Sequence, residues 1–188
     1  MDKYFAFKSE TTLPFTAFQA LIAENYQHPF RISMVDRHKG YIVSDAALFD
    51  TLNVLVPLFN SDLGLVLTFV VAHQIDVLTW TSLDYAHGNR RQACLHLGDI
   101  VLDRMLAGDE IMKKLVRQQF KSVPRELMLT ALAFVDAGLN ASRASVKLYI
   151  HRNTFNYRLQ KFIEYTGLDI RDYHHAFYFR LAHKIILD

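Results

Sequence analysis

The plainest periodicity in the chain lies in its last third. Leu127, Ala131, Phe134 and Val135 recur at i, i+4, i+7 and i+8, one stripe of a helix that Pro124 and Arg125-Glu126 open and Gly138 stops after Asp136. Asn140 and Ser142 are N-cap types for a short second helix holding Ala144, Val146, Lys147 and Leu148. A break near Tyr149-Ile150 leads into a third helix, from about Arg152 to Tyr165, which Gly167 ends. A short helix, a tight turn and a longer helix make a helix-turn-helix arrangement.

Upstream the pattern is mixed. Residues 1–30 read as mostly helical, with Phe15, Phe18, Leu21 and Ile22 at helical spacing. Phe30 to Val35 reads as extended, Asp36 to Gly40 as a turn and Tyr41-Ile42-Val43 as a strand, which predicts a hairpin. Ser44 and Asp45 then suit the start of a helix that runs to about Leu55, with Pro57 helping to end it. The apolar run Leu63 to Ala72 predicts a buried strand. From about Leu78 the chain reads as helical to its end. The expectation is an α+β domain over residues 1–120, a small sheet with helices for regulation or dimerisation, followed by an all-α domain over 121–188.

Composition narrows the class. The chain has 188 residues and is 51% hydrophobic, enough for a sizeable core. Its longest apolar run, Gly64 to Ala72, is far too short to span a bilayer, and the start MDKYFAFKSETT lacks the order of a signal peptide. The single cysteine, Cys94, forms no internal disulfide and suits a reducing compartment. These features predict a cytoplasmic protein without a membrane partner. The net charge of +2 is unevenly spread: residues 1–120 carry two more acids than bases, and residues 121–188 four more bases than acids. A basic carboxy-terminal segment fits a polyanionic partner.

Candidates for catalysis are sparse. Ala107-Gly108-Asp109-Glu110-Ile111 resembles a worn Gly-Gly-Asp-Glu-Phe signature of diguanylate cyclases, but its flanks are helical, with Leu97, Ile100, Val101 and Met105 before it and Ile111, Met112, Leu115 and Val116 after it. Gly108 reads better as the stop of one helix and Asp109 as the N-cap of the next. His73, His87 and His96 lack the i, i+4 spacing of paired metal ligands. Asp99 and Asp103 have that spacing, for which a solvated helix face is the commoner reason. Cys94 and His96, two apart, do not face each other on a helix. No phosphate loop is present. The reading is of a non-enzyme with no cofactor and no metal.

The third helix of the carboxy-terminal segment divides by face. Phe155, Leu159, Phe162 and Ile163 lie within an arc of about 100°, and Asn153, Tyr157, Gln160 and Glu164 lie opposite, flanked by Thr154, Asn156 and Lys161. Asn and Gln read adenine edges, Thr and Tyr bond phosphates, and Lys adds charge. Glu164 falls in the last turn, which points away from a groove entered by the helix amino terminus. Each residue also has a structural use: Tyr157 and Arg158 as cover for a neighbouring helix, Asn153 and Thr154 in helix initiation.

The stretch Asn140-Ala141-Ser142, then Leu148-Tyr149-Ile150-His151-Arg152-Asn153-Thr154-Phe155, Tyr157-Arg158-Leu159 and Thr166-Gly167-Leu168-Asp169 resembles the carboxy-terminal helix-turn-helix of PucR/CdaR-type bacterial transcription regulators. The likeness covers roughly residues 125–187. It implies binding of double-stranded DNA through the helix that begins at Arg152, with a further helix from about Asp172 to Leu187 packed behind it. The candidate DNA-binding set is Arg143, Lys147, His151, Arg152, Asn153, Thr154, Asn156, Tyr157, Arg158 and Lys161. Asn156 and Gln160 depart from the pattern, since family members often carry basic residues there. The family also implies a degenerate cyclase-like domain upstream, here shortened or divergent, because the sensory domain of longer members does not precede it.

One such domain buries too little surface for tight specific binding, so a homodimer reading half-sites about 34 Å apart is expected. Leu95, Ile100, Leu102, Met105, Met112 and Leu115 are candidates for its interface or for internal core. No residue cluster identifies an effector. The alternative reading is a protein-interaction module on a helix-turn-helix scaffold that has lost DNA affinity.

Overall fold

A computed structural model describes residues 3–187. Met1 and Asp2, at the start of the opening expected to be helical, and Asp188, at the end of the carboxy-terminal domain, lie outside the described residues. The chain forms two compact units, residues 1–100 and 101–188.

The first unit is built on a five-stranded mixed sheet in the order β2-β3-β1-β4-β5, with β1 Lys3–Ser9, β2 Arg31–Met34, β3 Lys39–Ser44, β4 Leu67–Ala72 and β5 Ala93–His96. β1 pairs antiparallel with β3 and β4, β2 antiparallel with β3, and β5 parallel with β4. The register sets Phe5 beside Ile42 and Val71, and Phe7 beside Phe69, so alternate residues of the three central strands share one face. Helices α1 (Phe15–Asn25) and α2 (Leu48–Leu63) cover that face with Phe18, Ile22, Leu52, Leu55 and Phe59. Helix α3 (Val77–Asn89) packs on β4 and β1 from the other side.

Three expectations change here. The opening is not mostly helical: it begins with β1, the central strand. Phe5, Ala6 and Phe7 are each fully buried, because the sheet is covered on both sides, so the strand has no polar–apolar alternation to betray it. The helix after Asp45 does not end near Pro57 but runs through it to Leu63. Pro57 is exposed, as is Asn53, the residue four positions back whose carbonyl a proline cannot bond. The roughly 3 kcal/mol it costs inside a helix is offset by burying Val56 and Phe59, roughly 1.5–3 kcal/mol each. Gly64 ends α2 instead, at φ +64°, with its N–H on Asn60 O and the Leu65 N–H on Phe59 O. Finally, the helical run from Leu78 is interrupted by β5, four residues whose extended state depends on β4 beside them.

The expected hairpin forms as β2 and β3, and the apolar run supplies β4, though only from Leu67. Asp45 bonds the Ala47 N–H at 2.8 Å ahead of α2.

Helix α4 (Leu97–Leu106) runs across the division between the units, and α5 (Glu110–Phe120) follows it. Between them the Ala107–Ile111 motif is a helix break: Gly108 sits at φ +72°, and Asp109 accepts from the N–H groups of Ile111 and Met112 while its carboxylate also holds Arg104. The second unit continues with α6 (Arg125–Asp136), α7 (Ala141–Lys147), α8 (Arg152–Thr166) and α9 (Tyr173–Leu187). The helix-turn-helix helices follow their sequence boundaries within a residue or so. Packing divides the chain at Ile100/Val101 because α5 rests on α9: Phe120 meets Phe179 with ring centroids 5.9 Å apart.

Candidate nucleic-acid interface

Capping residues position the interface. Asn140 Oδ1 accepts the Arg143 N–H at 3.0 Å and starts α7. Gly138 (φ +68°) and Leu139 (φ +60°) turn the chain out of α6, with the Leu139 N–H on Phe134 O. His151 Nδ1 accepts the Asn153 N–H at 3.2 Å and starts α8, while Gly167 ends it at φ +69°. Thus His151, one of the candidate DNA contacts, also serves as a cap.

Phe155, Leu159, Phe162 and Ile163 of α8 are buried, as their spacing predicts. Phe155 lies 6.2 Å from Phe134 of α6, and Phe162 meets Phe179 of α9 edge-on at 5.1 Å. Ala144 of α7 is fully buried, which lets α7 approach closely. With one face of α8 held in this way, Arg152, Asn153, Thr154, Asn156, Tyr157, Gln160 and Lys161 are all exposed. Arg143 and Lys147 are exposed on α7.

The candidate cations differ in how free they are. Arg143 and Arg152 make no ion pair among the described residues. Lys147 reaches Asp136 at 3.7 Å, and Asp136 also holds Arg180 of α9 at 2.7 Å. Arg158 is half-buried and turned toward α6, where it pairs with Glu126 at 3.2 Å. Lys161 pairs with Glu164 at 2.8 Å and lies over the Tyr157 ring, 5.8 Å from its centroid. The hydrogen bond with Lys161, then that with Gln160, holds the Glu164 carboxyl below its ordinary range, and the same bond raises the Lys161 ammonium. Asn156 sits at the edge of the outward face, lining with Phe134 and Leu139 a hollow of about 550 Å³.

Tyr149 is absent from the sequence-derived set. It occupies the turn between α7 and α8 at φ +55°, a conformation costing a non-glycine residue roughly 1–2 kcal/mol, and its side chain is 95% exposed. A tyrosine at a helix stop reads from sequence only as a break; its exposure is a property of the turn.

Among the described residues no group of three His, Cys, Asp or Glu side chains is placed to hold a metal ion. Nor is any helix there long and apolar enough to cross a membrane.

The second unit thus contains a tri-helical helix-turn-helix, α6 to α8, braced by α9. Residues 127–185 match the PucR C-terminal helix-turn-helix domain, and this part of the chain is a domain of that family. A stretch of 48 residues is 42% identical to the uncharacterized protein YxkF of Bacillus subtilis (strain 168), covering 26% of this chain and 16% of that protein. The chain therefore spans only about a sixth of that relative's length in the matched region. A regulator of polyketide synthase expression from Bifidobacterium adolescentis, solved by crystallography, aligns with 99% of this chain and 80% of its own at 19% identity and a TM-score of 0.49.

Proposed function

We propose that this chain is a DNA-binding transcriptional regulator that sets the amino-terminal half of α8 into the major groove of double-stranded DNA. The observation that carries the reading is the two-faced α8 within a PucR-type domain: an aromatic and aliphatic face is buried, and the opposite face exposes Arg152, Asn153, Thr154, Tyr157 and Lys161. Asn153 and Thr154 serve base edges or phosphates, and Arg143, Arg152 and Lys161 serve the backbone. Arg158 acts through α6, and His151 through the cap of α8.

The test is fluorescence anisotropy of duplex DNA over a salt series. Binding that weakens steeply with salt, and by about one fewer phosphate contact in Arg152→Gln, supports the docking. Unchanged binding in Arg152→Gln and Asn153→Ala overturns it. The second reading, a protein-interaction module on the same scaffold, is favoured by one observation: Lys147, Arg158 and Lys161 are each engaged by an acid of the same unit. Absence of DNA affinity even at low salt selects it.

A homodimer would let two domains read two half-sites. Of the apolar residues between 94 and 120, Ile100 and Met112 are buried, whereas Leu106 and Ile111 are 76% and 70% exposed and offer the better contact surface. Light scattering on the full chain at micromolar concentration decides between dimer and monomer.

A further inference from the structure

Within the second unit, α5, α6 and the end of α9 enclose a groove of about 660 Å³ that the DNA-binding reading does not use. Its walls are apolar: Phe120, Val123, Met128, Leu129, Ile186 and Leu187. Phe120 is buried, whereas Leu129 is 46% and Leu187 74% exposed, so the groove is open to solvent. Burial, then the charge of Arg180, lowers the pKa of the lining residue His183, which favours its neutral ring.

Among the described residues four cations and no acid line the same groove: Lys114, Arg117, Lys121 and Arg125. Arg117 is fixed in place by donating from Nε to Ile185 O at 3.0 Å, with Glu110 of its own helix 4.0 Å from the guanidinium. Lys114, Lys121 and Arg125 make no ion pair among the described residues. Elsewhere in this unit Lys147, Arg158, Lys161, Arg171 and Arg180 each meet a carboxylate. Arg143 and Arg152 also lack one among the described residues, but the groove gathers its cations around an apolar hollow. An apolar concavity of a few hundred cubic ångströms with convergent charge of one sign suits a small amphipathic ligand.

We propose that this groove binds an apolar-tailed monocarboxylate, its chain against Met128, Leu129 and Ile186 and its carboxylate among Lys121, Arg125 and Arg117. The carboxylate compensates Lys121 and Arg125, which meet no acid among the described residues, and the tail covers apolar surface that otherwise meets water. A polar anion gains only the first of these and a neutral alkanol only the second. The groove also abuts the DNA-facing elements: Arg125 precedes Glu126, which holds Arg158 of α8. The regulatory use of the site rests on the DNA-binding reading; ligand binding itself does not.

The experiment is calorimetric titration of the full chain with decanoate, with acetate and 1-decanol as controls. Saturable 1:1 binding of decanoate, at least tenfold tighter than either control, is expected. Lys121→Gln/Arg125→Gln weakens it at least tenfold, as does Leu129→Gln, which replaces a half-exposed side chain and leaves the core intact. Lys161→Gln, remote on α8, leaves it unchanged. No saturable binding, equal binding of decanol, or indifference to both groove variants overturns the proposal. Because no DNA is present, the outcome is independent of whether the chain binds DNA.

Discussion

The Nζ of Lys161 lies 2.8 Å from Oε2 of Glu164, one turn further along the same helix. Glu164 thereby occupies the charge of the most carboxy-terminal cation on the exposed face of α8. Pairs of this kind, between exposed side chains, contribute little to stability. Their effect on a polyanionic partner is larger, because the acid both diverts a cation and repels phosphate. Glu164→Gln is therefore expected to strengthen DNA binding several-fold at low salt and to steepen its salt dependence, with a melting temperature within a degree or two of the parent. Anisotropy titrations at several salt concentrations, beside thermal melts, check both halves.

Tyr149 separates strain from contact. Glycine in its place removes the Cβ from a left-handed backbone, so Tyr149→Gly should leave stability unchanged or raise it by up to about 1 kcal/mol. If the exposed ring touches DNA, the same substitution weakens binding several-fold. Opposite signs in the melt and the binding curve identify Tyr149 as a contact; a parallel loss in both assigns it to structure.

Gly40 tests the packing of the sheet. A Cβ there would lie 2.4 Å from the Ser33 carbonyl oxygen and 2.8 Å from Phe7 Cζ, both held by neighbouring strands. Gly40→Ala should destabilise the first unit by about 1–3 kcal/mol, read as a lower urea midpoint.

Asp45 gives the acid limb of stability. Hydrogen bonds from Tyr26, then from His28, hold its carboxyl down to about 2, against an ordinary 3.8. A carboxyl depressed in the folded state contributes stability that is fully present above its unfolded pKa and lost as pH falls through the folded one. Between about pH 4 and pH 2 the parent should thus lose stability more steeply than Asp45→Asn, in melts followed by circular dichroism.

Cys94 should be inert. It is 7% exposed, and burial, then the charge of Asp50, pushes its thiol well above the ordinary range. Reaction with a disulfide reagent is expected to wait on unfolding, and a native-state burst of one thiol per chain would contradict the placement.

Much of the second unit was legible in the amino-acid sequence, because its signals are local. Asn140, Gly138 and Gly167 mark helix ends through their own local chemistry, and the stripe from Phe155 to Ile163 repeats at the helical period whatever covers it. The cap made by His151, by contrast, was seen only in the structure. The Ala107–Ile111 motif resolved as a helix break for the same reason. The exposed face of α8 followed from that stripe.

What the tertiary structure alone decided depends on partners distant in sequence. Lys3–Ser9 is a strand because β3 and β4 flank it, and Ala93–His96 because β4 does. Pro57 stays helical because Val56 and Phe59 are buried around it. Which cations of the helix-turn-helix stand free was likewise hidden, since Glu126 lies 32 positions before Arg158 and Asp136 lies 11 before Lys147. Caps and periodicity are written residue by residue; strand pairing, burial and charge compensation exist only once the chain has folded back on itself.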